Sequence, residues 1–192
     1  MSQIFRFSMP LLQIAFASAV LSTLLFVVAS PFIGVITYNS FPIQWVYMSA
    51  HLLGGFGVGT LLWAVISGPA RNSKHYWLQC GAVVSLVLYH LVAAVAYSLM
   101  FGYGSYRMTM LFWWVRMLLI LTIVIKFITI YDELLRITGI LLLLAMVASC
   151  PFSLSEGWGL VQWIVAKVAA LLLAIMLYIN AKFVTTYSKS RR

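Results

Sequence analysis

The chain has 192 residues, 64% of them hydrophobic and 8% charged, with a formal net charge of +9 from twelve Lys and Arg against three acids. A soluble domain of this size needs far more polar surface, so composition places the chain in a lipid bilayer and leaves no room for a soluble domain between the apolar runs. The basic residues fall in short loops, tails and helix ends, where they set topology, so their charge is no argument for nucleic acid.

The first apolar run lies within "SMPLLQIAFASAVLSTLLFVVASPFIGVITY" and predicts a span over about 11–37. It lacks the short core of a signal peptide and is expected to be retained as a helix. The second span, about 43–67, carries His51 and then four glycines, Gly54, Gly55, Gly57 and Gly59, in "HLLGGFGVGT". Small residues there allow another helix, or a flat ligand, to approach the backbone. The third span, about 77–100, carries His90, and the fourth, about 109–131, carries Arg116. The fifth, about 134–151, is the least regular, with Arg136 at its start and Gly139 inside it. Asp132 and Glu133 precede it and are expected to cap it. The sixth, about 158–184, carries Lys167.

These elements predict an all-α, polytopic integral membrane bundle of six transmembrane helices forming one domain. One side of it receives Arg6, Arg71, Lys74, Lys126, Arg136, Lys182, Lys189, Arg191 and Arg192, while the other receives Arg107 and little else. The positive-inside rule then places both termini in the cytoplasm and suggests a bacterial-type inner membrane. Trp45, Trp77, Trp113, Trp158 and Trp163 fall near span ends and are expected to be interfacial anchors. Cys80 and Cys150 fall near opposite ends of their spans and are not expected to pair.

Counting inward from the outer ends of the spans brings four ionisable residues to one depth. His51 and His90 lie roughly 12–15 Å in, at about 1.5 Å per residue, on neighbouring antiparallel helices. Arg116 and Lys167 reach the same layer from the fourth and sixth spans. Each is costly facing lipid, so a shared level points to the bundle interior or a cavity, although a lone Arg or Lys can also snorkel and a lone His can be a packing contact.

Two histidines on facing helices suit axial ligation of a b-type haem, with Arg116 and Lys167 at the propionates or at another anionic group. Glu156 and Arg107 are placed to close such a site. Quinol or porphyrinogen is the expected electron donor, and a membrane-protein partner or a homo-oligomer is expected, because one haem near one face cannot carry electrons across the bilayer. Copper is the alternative metal, since Met100, Met108, Met110 and Met117 cluster near the outer ends of the third and fourth spans. Two other functions are compatible with the sequence. One is transport of copper or a small anion, and the other is an accessory or assembly subunit using a small-residue face such as Gly55 or Gly59. No paired carboxylates, phosphate loop, CxxC or Ser-His-acid arrangement is present.

"YMSAHLLGGFGVGTLLWAVISGP" and "WGLVQWIVAKVAALLLAIMLYINAKF" resemble the two signature helices of the membrane superfamily that includes HemJ-type protoporphyrinogen oxidases and CopD-type copper-resistance proteins. His51 and Lys167 stand at the positions of its early histidine and its later lysine after a tryptophan. The resemblance implies a haem-associated helical bundle with redox chemistry on a porphyrinogen, or copper handling. An extra span precedes His51, and Tyr178 and Asn180 stand where a further histidine would be sought.

Overall fold

The computed structural model describes residues 7–29, 41–67, 76–99, 103–129, 132–149 and 159–190. These residues form six α-helices: α1 (Met9–Ala29), α2 (Phe41–Ser67), α3 (Tyr76–Leu99), α4 (Tyr103–Thr129), α5 (Glu133–Ala148) and α6 (Gly159–Ser190). Four carry segments long and apolar enough to cross a membrane: Met9–Val28, Trp45–Ser67, Tyr76–Val95 and Leu160–Thr186. With 16 residues α5 rises about 24 Å, less than the ~30 Å hydrocarbon core, whereas α4, with 27, is long enough to span and is largely apolar despite Arg116 and Lys126.

Consecutive helices pack on one another, α6 returns to α1, and α2 also touches α6, so the bundle closes as a ring. Large apolar side chains remain exposed on every helix, among them Val28, Phe56, Val95, Leu118, Ile140 and Phe183. An outer surface of this kind is matched to lipid contact and would aggregate in water.

The small residues of α2 determine how tightly the ring closes. A β-carbon at Gly57 would lie 2.5 Å from the Ala15 carbonyl oxygen and 2.6 Å from the Ala19 nitrogen of α1. On the opposite side, β-carbons at Gly55 and Gly59 would lie 2.8 Å from His90 Cβ and 2.7 Å from Val87 Cγ2 of α3. Gly55 and Gly59, four apart, therefore form one stripe against α3, while Gly57 faces α1. The face expected to meet another protein is thus buried inside this chain. Gly139 serves the same purpose in α5, where a β-carbon would meet Phe127 Cβ of α4 at 2.8 Å.

Asp132 caps α5, its side chain accepting from the Leu134 and Leu135 nitrogens at 3.0 and 3.4 Å. In the half of the bundle where α2 and α4 end, Leu61, Leu62, Val65, Ile66, Ile120 and Ile123 are fully buried and fill the interior. Phe16 of α1 stacks on Tyr178 of α6 with ring centroids 4.8 Å apart. Beside them, buried Asn180 donates to Thr138 Oγ1 at 2.9 Å and to the Met176 carbonyl oxygen at 2.9 Å, tying α6 to α5. Thr138→Val is expected to lower stability by about 0.6–1.7 kcal/mol, the range for interhelical hydrogen bonds in membranes, measured as a lowered midpoint of thermal unfolding.

The structure corrects two tryptophan assignments. Trp45 and Trp77 are exposed, as anchors should be, but Trp113 is buried at 3% exposure, and Trp163 turns into the bundle. Cys80 is free and buried. Cys150, Glu156 and Trp158 lie outside the described residues, as do Arg6, Arg71, Lys74, Arg191, Arg192 and Met100. Arg107 falls within α4, where a loop was expected.

Candidate functional site

A cavity of about 420 Å³ lies in the half of the bundle where α1, α3 and α5 finish and α2, α4 and α6 begin. All six helices line it, and so do all four ionisable residues identified at one depth: His51, His90, Arg116 and Lys167. Its size is within the range of small-molecule sites.

His51 is 8% exposed and sits one turn before Gly54 and Gly55 on α2. The closeness that Gly55 permits brings the α3 backbone at His90 against α2, and the two imidazoles then meet directly. Their Nδ1 atoms are 3.3 Å apart and their ring centroids 5.5 Å apart. In the neutral pair one Nδ1–H donates and the other Nδ1 accepts, so the rings carry opposite tautomers. Phe26 of α1 packs edge-on against His51 with centroids 4.9 Å apart.

Arg116 is 5% exposed. Its guanidinium carbon lies 3.9 Å from the Tyr89 ring centroid, and one terminal nitrogen donates to Ser149 Oγ at 3.1 Å. Its Nε is buried with no hydrogen-bond partner among the described residues. Lys167 Nζ lies 4.0 Å from the Phe26 ring centroid and 6.0 Å from that of Trp163. Both cations therefore rest on aromatic faces, and the described cavity lining contains no carboxylate. Asp132 and Glu133, the acids among the described residues, are exposed at the start of α5, the end of that helix remote from the cavity.

Depth counting thus found the four ionisable residues but missed their partners Tyr89, Ser149, Phe26 and Trp163. Counted from the same span ends, Tyr89 and Phe26 fall near that layer, whereas Trp163 and Ser149 count as closer to the outer ends, so depth was a usable signal for the first two alone. Helical rotation, which the sequence does not display, decided which of them turned inward.

Haem ligated by both histidines would hold iron between their two Nε2 atoms, one on each side of the macrocycle. Here the two Nδ1 atoms are in hydrogen-bond contact, and the α2–α3 seam is closed beside them at Gly55 and Gly59. His51 and His90 are thus brought together as the expected pair, in a hydrogen-bonded arrangement that would have to open before a porphyrin could enter between them. No group of three or more His, Cys, Asp or Glu side chains converges among the described residues, and a cation at the histidine pair would sit beside two others. Of the methionines expected on a copper path, Met117 is partly buried on α4, while Met100 and the side chains of Met108 and Met110 lie outside the described set.

Compared with known proteins, the chain matches no family model, no curated protein and no solved structure.

Proposed function

We propose that this is a six-crossing protein of a bacterial-type inner membrane, with both termini cytoplasmic, that binds an anion in the cavity between Arg116 and Lys167. The observation that carries the reading is a cavity inside the helical bundle holding two cationic side chains, no described carboxylate, and a buried Arg116 Nε without a partner among the described residues.

An Arg or Lys in mid-membrane costs about 2.5–3.5 kcal/mol on insertion scales, and aromatic contacts return only part of that. An anion held between two such residues offsets the rest, and the hydrogen-bonded histidine pair adds polar contacts beside them. The positive-inside rule supports the orientation, since Lys126, Arg136 and Lys182 lie in the half of their helices remote from the cavity. The cavity then belongs to the outer half. Because the cytoplasmic half is filled by packed apolar side chains, binding rather than passage is the function this geometry favours.

The test uses protein in phosphatidylcholine nanodiscs, titrated with acetate and with inorganic phosphate while the fluorescence of Trp163, a cavity residue, is followed against a Trp163→Phe control. Saturable quenching by at least one anion, lost in Lys167→Met, is expected, together with a reduced-minus-oxidised spectrum that lacks the band of a b-type haem. No response to either anion would overturn the proposal, and so would a haem band that disappears in both His51→Ala and His90→Ala.

A further inference from the structure

Below the level of the cations the cavity is mainly apolar, and the two hydroxyls that line it there, Ser22 and Thr23 of α1, donate to the Ala50 and Ala19 carbonyl oxygens. Val58 lies seven residues beyond His51 on α2, Leu142 seven before Ser149 on α5, and Leu173 six beyond Lys167 on α6, and all three line the same cavity. At about 1.5 Å per residue the apolar recess reaches roughly 9–10 Å below the cations. Leu86 and Ile120 continue it on α3 and α4, each about one turn below His90 and Arg116. Leu61, Leu62 and Ile123, about one turn beyond Val58 and Ile120 along α2 and α4, are fully buried.

A small hydrophilic anion would satisfy the upper level and leave this recess with nothing to contact. An apolar space of this kind does not hold ordered water well, because water there lacks hydrogen-bond partners. The chemistry that fills both levels is a charged head joined to a hydrocarbon tail. We infer that the ligand is a single-chain amphiphilic anion, with a carboxylate or phosphate head at Arg116 and Lys167 and its tail in the recess bounded by Val58, Leu142 and Leu173. The inference rests on the anion reading above and specifies its substrate class. Phe26 and Trp163, packed on Lys167, give the head apolar neighbours that strengthen its pairing with the cations.

Each methylene buried in the recess should tighten binding about fourfold until the recess is full. The experiment compares octanoate with acetate, and octyl phosphate with inorganic phosphate, in phosphatidylcholine nanodiscs, with partition into protein-free discs subtracted. At least one tailed anion is expected to bind 100-fold or more tightly than its tailless counterpart. Ala170 and Ala145 line the cavity about one turn below Lys167 and Ser149, so Ala170→Phe or Ala145→Leu should shorten the recess. Either variant is expected to reduce the tail preference at least tenfold while leaving the affinity for the tailless anion unchanged. The two substitutions are on different helices, so a folding defect in one leaves the other as a test. If acetate or phosphate binds and the tail adds nothing, the amphiphile inference fails and the anion site stands. If no anion binds, both fail. A tail preference unaltered by either substitution removes the tail from this recess and overturns the inference.

Discussion

Replacing Gly57 with alanine is expected to be among the most damaging single changes in this protein, lowering stability by about 3 kcal/mol, the upper end of the usual overpacking range. The added carbon would meet backbone atoms of α1, the Ala15 carbonyl oxygen and the Ala19 nitrogen, rather than the end of a side chain that can rotate aside. Relief requires α1 and α2 to separate, and separation forfeits contacts along the whole seam. Gly81→Ala is the matched control, because nothing lies within 4 Å of a β-carbon there. That change should be neutral or stabilising by up to about 1 kcal/mol through helix propensity. Thermal unfolding of both variants in the same nanodiscs decides the matter, and equal midpoints would mean that α1 and α2 do not pack as described.

Lys167→Met is expected to separate function from stability. Removing the ammonium should weaken anion binding about 10–100-fold, the loss of one hydrogen bond or ion pair to a charged group. The ligand-free protein should become more stable. An insertion cost of about 2.5–3.5 kcal/mol disappears, while a cation–π contact of about 0.5–2 kcal/mol is given up, leaving a net gain of about 0.5–3 kcal/mol. At this chain length that gain corresponds to a few degrees in the unfolding midpoint. A residue kept for structure would show the opposite sign, so a destabilised Lys167→Met that still bound anions would assign Lys167 to packing. Arg116 is a poorer choice for the experiment, since its hydrogen bond to Ser149 and its stacking on Tyr89 make any substitution a structural one as well.

Both expectations depend on which face each helix presents, and there the sequence and the structure part company. Long apolar runs are enough to place six helices, because a backbone in hydrocarbon must satisfy its own hydrogen bonds and has no other local solution. The spans expected from about 43–67 and 77–100 agree closely with α2 and α3. The first span was expected over about 11–37, of which 11–29 is helical and 30–37 lies outside the described residues. Residue counting at a fixed rise also brought His51, His90, Arg116 and Lys167 to one level, since depth along a helix is linear in sequence.

Rotation about the helix axis is a different matter. These helices are apolar on nearly all sides, so no stripe marks the face that is buried against protein rather than lipid. Trp113 and Trp114 illustrate the point: they are adjacent and chemically identical, yet one is 3% and the other 51% exposed. The glycines of α2 show it again, because the sequence announces that something approaches closely without saying what. Only packing revealed α1 on one side and α3 on the other, and with that the hydrogen-bonded histidine pair. The sequence by itself determined the helices, their membrane-like character and the depth of the ionisable residues, all of which follow from hydropathy and helical rise. The tertiary structure alone decided the rotations, because interhelical contacts between residues far apart in the chain set them, and those rotations turn four ionisable residues into one cavity.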